Sequence, residues 1–391
     1  MSYTPYNRRP FSRGRRPNQS NKKGTIHPSR YIHKAIQPQH TQQVVITHSF
    51  ADFSLQPDIQ RNIQYHGFTT PTPIQDQAIP HILEGRDLVG IANTGTGKTA
   101  AFLLPIIQKI SLDDQQGALI VVPTRELATQ IADELHLLAR GMAISSVVCV
   151  GGVSIEPQIR EVRKNPHIII GTPGRLKDLI ERKVLLPHMF TTIVLDEVDR
   201  MLDIGFVHDI RHLISLLPQQ RQSLFFSATM TPDIQQIMNS FLTNPISIHV
   251  AKTVTNDHID QDIVKITPEK GKANVLIDLL HQPEFERVII FGRTKHGINK
   301  LEKILYTQGI RVSAIHGNKT QQARQRSLDD FKRGRVQALL ATDVVARGID
   351  VDNVTHVINY DEPATYEDYI HRIGRTGRAG KMGKALTFVQ P

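Results

Sequence analysis

Cysteine is almost absent from this 391-residue chain. Cys149 stands alone, so neither an internal disulfide nor a cysteine-built metal site is available. No run approaches the roughly 18 apolar residues that a membrane-spanning helix needs. No apolar stretch near the N-terminus suits a secretory signal. A reducing cytoplasm fits these absences. Acidic residues are missing from residues 1–51, and the first is Asp52. That stretch holds nine cations: Arg8, Arg9, Arg13, Arg15, Arg16, Lys22, Lys23, Arg30 and Lys34. The remaining chain carries 38 basic residues (47 less these nine) against 37 acidic ones, so its net charge is +1. A near-neutral body with a cationic tail is expected. Residues 1–47, rich in Asn, Gln, Ser, Pro and Gly, read as disordered. Tyr3, Tyr6, Phe11 and Tyr31 among the cations suit contact with a polyanion. A merely solubilising extension is the blander reading.

What is present is a regular alternation. Short β-rich runs at Asp87–Ala92, Ala118–Val122, Ser145–Val150, His167–Ile170, Thr192–Leu195 and Ser223–Phe226 are separated by helical patterns. In Glu126–Ala139, for example, Leu127, Ile131, Leu135 and Leu138 form an apolar stripe. Buried strands alternating with helices predict a parallel sheet covered on both faces. A polar stretch, 252–260, reads as a linker. A second series follows, with strands at Val288–Phe291, Val312–Ile315, Ala338–Leu340, His356–Asn359 and Ala385–Val389. Polar motifs follow the carboxyl ends of strands in both series. In open α/β sheets those ends share one edge, where ligands bind. Two α/β domains facing each other across a cleft are expected.

Ala92–Thr99 (Ala-Asn-Thr-Gly-Thr-Gly-Lys-Thr) follows the pattern of a phosphate-binding loop. Gly95 and Gly97, beside Thr94 and Thr96, allow backbone N–H groups to approach phosphate oxygens. Lys98 suits the β- and γ-phosphates. Thr99 opens a helix and offers a hydroxyl to Mg²⁺. Asp196-Glu197-Val198-Asp199 closes an apolar strand. Asp196 suits water-mediated Mg²⁺ binding, and Glu197 suits orienting and deprotonating an attacking water. Gln75 can pair with the N6 and N7 edge of adenine. Arg375 and Arg378, three apart in His371–Arg378, can both reach one anion, and a planar guanidinium grips phosphate bidentately. A plain Gly-rich turn, an acidic helix start and a solvated basic face are the blander readings of these segments.

Taken in order, the motifs resemble those of DEAD-box ATP-dependent RNA helicases, of the bacterial RhlE-like type, over about residues 48–391. The resemblance implies two RecA-like domains, ATP and Mg²⁺ as ligands, and RNA as partner, with little sequence preference and no membrane. It divides the chain into a tail (1–47), an adenine-recognition region (48–76), an ATP-binding domain (77–251), a linker (252–260) and a C-terminal helicase domain (261–391). It makes Phe50 the upstream aromatic of the adenine motif. It puts Gly348 near the γ-phosphate and Asp350 near the ribose, and makes Arg375 and Arg378 arginine fingers. RNA contacts are implied for Pro123, Thr124, Arg125, Gly151, Gly152, Thr172, Gly174 and Arg175 in the first domain. In the second they fall on Arg293, Thr294, Gln321, Arg324, Thr342 and Asp343. Asp199, Ser227, Thr229, His371 and Arg372 are the expected coupling residues. No particular protein partner is implied, and ribosome-assembly and RNA-decay complexes are both compatible.

The chain departs from the family pattern in three places. Val198 replaces the alanine of the tetrad. Ala92 stands where a generic phosphate loop has its first glycine. Pro391 follows directly on a strand, so the second sheet is expected to keep an edge without a covering helix. A DNA-directed motor and a non-catalytic, ATP-gated RNA clamp are the alternative functions.

Overall fold

Ala118–Val121, Val288–Phe291 and Ala338–Ala341 are apolar at every position and form fully buried strands. The computed structural model describes residues 26–35, 46–93, 95–250, 258–266, 271–343, 351, 353–377 and 381–389. The first domain has strands β1 (Leu88–Ile91), β2 (Ala118–Val121), β3 (Ser146–Cys149), β4 (Ile168–Gly171), β5 (Thr192–Leu195), β6 (Gln222–Ser227) and β7 (Ile246–His249). Before and between them run α1 (Pro57–Tyr65), α2 (Pro73–Leu83), α3 (Lys98–Leu112), α4 (Arg125–Leu138), α5 (Ile155–Val162), α6 (Pro173–Glu181), α7 (Val198–Ile204), α8 (Val207–Leu216) and α9 (Pro232–Phe241). The second domain has β8 (Ile259–Lys265), β9 (Val288–Phe291), β10 (Val312–Ile315), β11 (Ala338–Ala341), β12 (His356–Asn359) and β13 (Gly383–Val389). Its helices are α10 (Lys272–Leu280), α11 (Lys295–Thr307), α12 (Gln321–Lys332) and α13 (Tyr366–Ile373).

Helix starts follow local chemistry. Proline opens α1, α2, α6 and α9, where its missing N–H costs nothing. Threonine hydroxyls cap α4, α9, α11, α12 and α13 through Thr124, Thr231, Thr294, Thr320 and Thr365.

Both sheets are parallel among the described residues, in the orders β3-β4-β2-β5-β6-β1-β7 and β10-β11-β9-β12-β13-β8. Alternate residues face opposite layers. Ala118 and Ile120 pack under α1–α4, whereas Leu119 and Val121 pack under α5–α9. Register aligns the strand ends: Ile91 with Ser227, and Val121 with both Gly171 and Leu195. The motifs that follow these strands therefore share one edge, as expected.

Four features differ from the sequence expectation. Strand β7 was not expected. Strand β8 begins at Ile259, inside the span read as linker; Ile259, Gln261 and Ile263 alternate with Asp260, Asp262 and Val264, so a strand pattern sits in a polar-looking stretch. Strand β13 is no edge, because β12 and β8 flank it. Residues 26–35 fall within the span read as a disordered tail, yet Pro28–Tyr31 forms a 3₁₀ turn and His33 bridges to Gln261 of β8. Burial of Tyr31, which has no exposed surface, supplies the apolar gain that a purely polar tail would lack. The rest of the tail call (1–25 and 36–45), most of the linker and the last two residues lie outside the described residues.

His356 sits under Phe285, with ring centroids 3.9 Å apart, and burial pushes its pKa down to about 4. The unfolded chain therefore binds more protons than the folded one between pH 6.5 and 4. Stability is complete above that window and falls as pH drops through it. Thermal melts should show His356→Phe losing about 2 kcal/mol less than wild type between pH 7.5 and 5. Equal losses would refute the assignment.

Candidate functional site at the cleft between the domains

The loop after β1 turns on Gly95 and Gly97, both at positive φ, and delivers Lys98 to the first position of α3. Gly97 has a second reason to be glycine. A Cβ there would lie 2.5 Å from Nε2 of Gln75. The Lys98 side chain is buried; its ammonium donates to the Ala92 carbonyl at 3.0 Å and lies 3.9 Å from Asp196. A buried cation at the head of a 15-residue helix, beside bare glycine backbone, fits a polyphosphate. Thr99, half-buried, is next to it. Thr94 lies outside the described residues.

Asp196 and Glu197 follow β5 and are both buried. Burial raises the Asp196 pKa to about 6, against the opposing pull of Lys98. Glu197 behaves oppositely. Burial works against its ionisation, but Arg200, Lys98 and Arg375 together hold its carboxyl below the usual range. Arg200, three residues on, pairs with Glu197 at 3.1 Å. Glu197 also has φ +53°, a conformation non-glycine residues rarely adopt and one that concentrates at functional sites. Asp199 reaches away from this pair to β6, accepting from the Ala228 N–H at 3.1 Å and the Thr229 hydroxyl at 3.4 Å. Ser227 is fully buried, and its hydroxyl has no hydrogen-bond partner among the described residues. No group of metal-binding His, Cys, Asp and Glu occurs among the described residues. One carboxylate with a threonine hydroxyl is nevertheless the oxygen-donor set that suits Mg²⁺, which keeps much of its water.

Gln75 is tied into the protein. Its Oε1 accepts from the Thr72 N–H at 2.9 Å, and its Nε2 donates to the Gly97 carbonyl at 3.1 Å. It thus joins the start of α2 to the phosphate loop. Phe50 is buried and stacks behind Phe68, with centroids 6.2 Å apart and planes at 21°. Phe68, rather than Phe50, lines a cavity of about 570 Å³ that both domains shape, with His66, Leu137, Arg287, Lys332 and Asn353.

Of the expected RNA contacts in the first domain, Thr124 caps α4 and Arg125 lies against Gly151 and Gly152. A Cβ on Gly152 would overlap the Arg125 guanidinium, and its φ is +72°. Arg175 donates to the Val153 carbonyl at 3.0 Å. Pro123 and Thr172 are buried and Gly174 is exposed, at the ends of β2 and β4. These residues form one polar surface along the sheet edge. In the second domain Arg293 and Thr294 are exposed after β9. Gln321 and Arg324 are placed differently. Both reach across the cleft to Glu126, at 3.3 Å and 2.6 Å. Asp343 is gripped bidentately by Arg372 at 2.5 and 2.8 Å, beside half-buried Thr342. Arg372 also donates to Asn359 and to the Asp361 carbonyl. Arg375 is buried and donates to the His371 carbonyl at 3.2 Å. Gly348, Asp350 and Arg378 lie outside the described residues.

Three residues were missed from sequence. Phe68 directly follows Gly67 in a motif that was read only for Gln75. Arg200 carries the i+3 spacing of a helical ion pair with Glu197. Glu126 carries the wrong sign for a phosphate contact, which was the available hint that its partner is a cation.

The fold and the site define a protein of two parallel-sheet domains with a phosphate-loop pattern and a buried carboxylate pair at the edge where they meet. The family profile described as DEAD/DEAH box helicase matches residues 72–237, and the helicase conserved C-terminal domain matches residues 271–380. The chain belongs to the DEAD-box helicase family. The ATP-dependent RNA helicase CshA of Listeria monocytogenes is 47% identical over 347 residues, which cover 88% of this chain and 66% of that protein. CshA of Bacillus licheniformis is 44% identical over 88% of this chain and 71% of its own length. The chain thus spans about two thirds of the length of these relatives, which carry the name CshA and not the RhlE-like type expected from sequence. Among solved structures, Saccharomyces cerevisiae Dbp5 bound to RNA and ADP BeF3 matches with a TM-score of 0.77 and 33% identity, over 88% of this chain and 90% of that one. Mss116 bound to ssRNA and UDP-BeF matches with a TM-score of 0.78 and 30% identity, over 87% and 74%.

Removing one partner of a buried ion pair strands the other charge, at a cost of about 3–5 kcal/mol. Opening the cleft would hydrate Glu126. Arg324→Ala is therefore expected to increase the radius of gyration in small-angle scattering while both domains melt as in wild type. An unchanged radius would show that the pair does not hold the cleft.

Proposed function

We propose that the protein is an ATP-dependent RNA helicase, an ATPase stimulated by RNA that locally unwinds or remodels short duplexes and ribonucleoproteins. The observation that carries this reading is the meeting of the two sheet edges. Lys98 lies 3.9 Å from Asp196 in the first domain. Arg324 of the second reaches Glu126 of the first at 2.6 Å, and buried Arg375 of the second adds to the positive field that holds the Glu197 carboxyl down. A hydrolytic carboxylate and a cation for the transferred phosphoryl group thereby belong to different domains, so domain closure assembles the site. The RNA-bound and nucleotide-analogue-bound relatives of the same fold support it.

In this reading Gly95, Thr96, Gly97 and Lys98 hold the β- and γ-phosphates, with Thr94 beside them. Thr99 and Asp196 hold Mg²⁺, which when bound neutralises charge on the phosphates. Glu197 orients the attacking water; its lowered pKa keeps it an acceptor throughout the neutral range. Arg375 and Arg378 stabilise the charge that spreads over the phosphoryl oxygens. Gln75 reads the adenine edge, while Gly348 and Asp350 complete the nucleotide contacts. Asp199 passes the state of the tetrad to Ser227–Thr229, and Arg372, next to His371, passes that of α13 to Asp343. The polar edge from Thr124 to Arg175, with Arg293 and Thr294 opposite, grips RNA through phosphates and 2′-hydroxyls. The reaction belongs in the cytoplasm, and no helix among the described residues is long and apolar enough to cross a membrane.

Lys98→Ala should abolish tight ATP binding, measured with a fluorescent nucleotide; unchanged affinity would remove the phosphate role. Glu197→Gln should retain ATP and RNA binding while turnover falls by roughly 10²–10⁴-fold. The deciding experiment compares ATPase stimulation by RNA and DNA oligomers of one sequence. Stimulation by RNA alone is expected. Equal stimulation would favour a DNA-directed motor, and none with either would favour an ATP-gated clamp.

A further inference from the structure

Residues Pro28–Lys34 precede the first domain in sequence but pack on the second. Tyr31 is completely buried; its ring meets that of Tyr369 with centroids 4.8 Å apart. The Arg30 guanidinium lies 4.2 Å over the Tyr366 ring. His33 exchanges two backbone hydrogen bonds with Gln261 of β8, at 3.0 and 2.7 Å, and Lys34 pairs with Asp260 at 3.4 Å. The next described residues belong elsewhere: Thr47 and His48 bind Asp76 of the first domain. The chain visits the second domain before it builds the first.

The helix covered by this segment is the one that leads to Arg375. Tyr366, Tyr369, Ile370 and Ile373 recur along α13 at helical spacing and join Tyr31, Ile259 and Val389 in one apolar cluster. Arg372, on the same helix, carries the polar network to Asp343, Asn359 and Asp361. Arg375 follows one turn later; it is buried, and its guanidinium donates back to the His371 carbonyl of the helix at 3.2 Å, so the helix fixes where it points. Helix α13 is therefore held from two sides, by an ionic network within its own domain and by an aromatic cluster that the N-terminal segment completes.

We propose that Pro28–Lys34 is a brace for the arginine-bearing helix and that Tyr31 is a positioning residue for Arg375, acting through Tyr369. This rests on the reading of Arg375 as a participant in ATP hydrolysis. The brace fixes the orientation of a group used mainly in the transition state, so its loss lowers kcat and leaves ATP binding to the first domain intact. Small displacements of such groups cost up to roughly a hundredfold in rate.

The test uses full-length Tyr31→Ala and Tyr31→Phe. The Tyr31 hydroxyl has no hydrogen-bond partner among the described residues, so the ring carries the contact with Tyr369. With saturating RNA, Tyr31→Ala should lose tenfold or more in kcat, with KM for ATP within twofold of wild type; Tyr31→Phe should match wild type. A synthetic peptide of residues 26–35, added in excess, should restore kcat to Tyr31→Ala, whereas the same peptide carrying Tyr31→Ala should not. An unchanged kcat, or equal rescue by both peptides, overturns the proposal. Hydrogen exchange over Tyr366–Arg375 needs no turnover and separates the two claims. Faster exchange in Tyr31→Ala that slows with peptide supports the brace even if wild type proves to lack ATPase activity, a result that would sink the functional reading instead. Unaltered exchange rejects the brace.

Discussion

Glu126 and Arg324 meet at 2.6 Å across the cleft, and neither side chain retains much contact with water. Buried ion pairs add little net stability, because desolvation consumes most of the attraction. What they contribute is selectivity: each charge tolerates burial only in the arrangement that supplies its partner. Glu126 lies in the first turn of α4, after β2, and Arg324 in the first turn of α12, after β10. The pair therefore brings the carboxyl edges of both sheets face to face. The influence of the Arg375 charge on Glu197 depends on that juxtaposition.

Within this frame the tetrad after β5 divides its labour by environment. Two adjacent carboxyls are both buried, yet one is pushed up in pKa and the other held down. The difference lies in the neighbouring charges: Arg200 and Arg375 act on Glu197 in addition to Lys98, whereas Asp196 has Lys98 at 3.9 Å and is pushed up by Glu197 and Asp199. The left-handed backbone at Glu197 is a local strain, held at the junction between β5 and α7. Val198, which replaces alanine in the family pattern, opens α7 and is buried in the apolar layer on that face of the sheet, beside the two buried carboxyls.

The N-terminal segment shows the same economy at the opposite side of the second domain. Strand β8 ends its sheet, and an exposed strand edge invites pairing with other chains. Among the residues of this segment, His33 covers part of that edge with two backbone hydrogen bonds to Gln261. Their side chains meanwhile bury the aromatic face of α13. One short stretch thus protects an edge and supports the helix that leads to the cleft.

Much of the architecture was legible without coordinates. Buried parallel strands are short apolar runs, helices carry an apolar stripe such as Leu127, Ile131, Leu135 and Leu138, and both signals are local. They sufficed for most of the strands, for the shared edge and for the Lys98, Asp196 and Glu197 constellation. Strand β8 escaped because alternating aspartates and glutamine disguised a half-buried strand as polar linker. The interior position of β13, the stacking of Phe50 behind Phe68, the turn of Gln321 and Arg324 toward Glu126 and the docking of Tyr31 on Tyr369 were decided by tertiary structure. Each joins residues through packing of whole elements, and no period of two or 3.6 residues encodes which distant surfaces will meet.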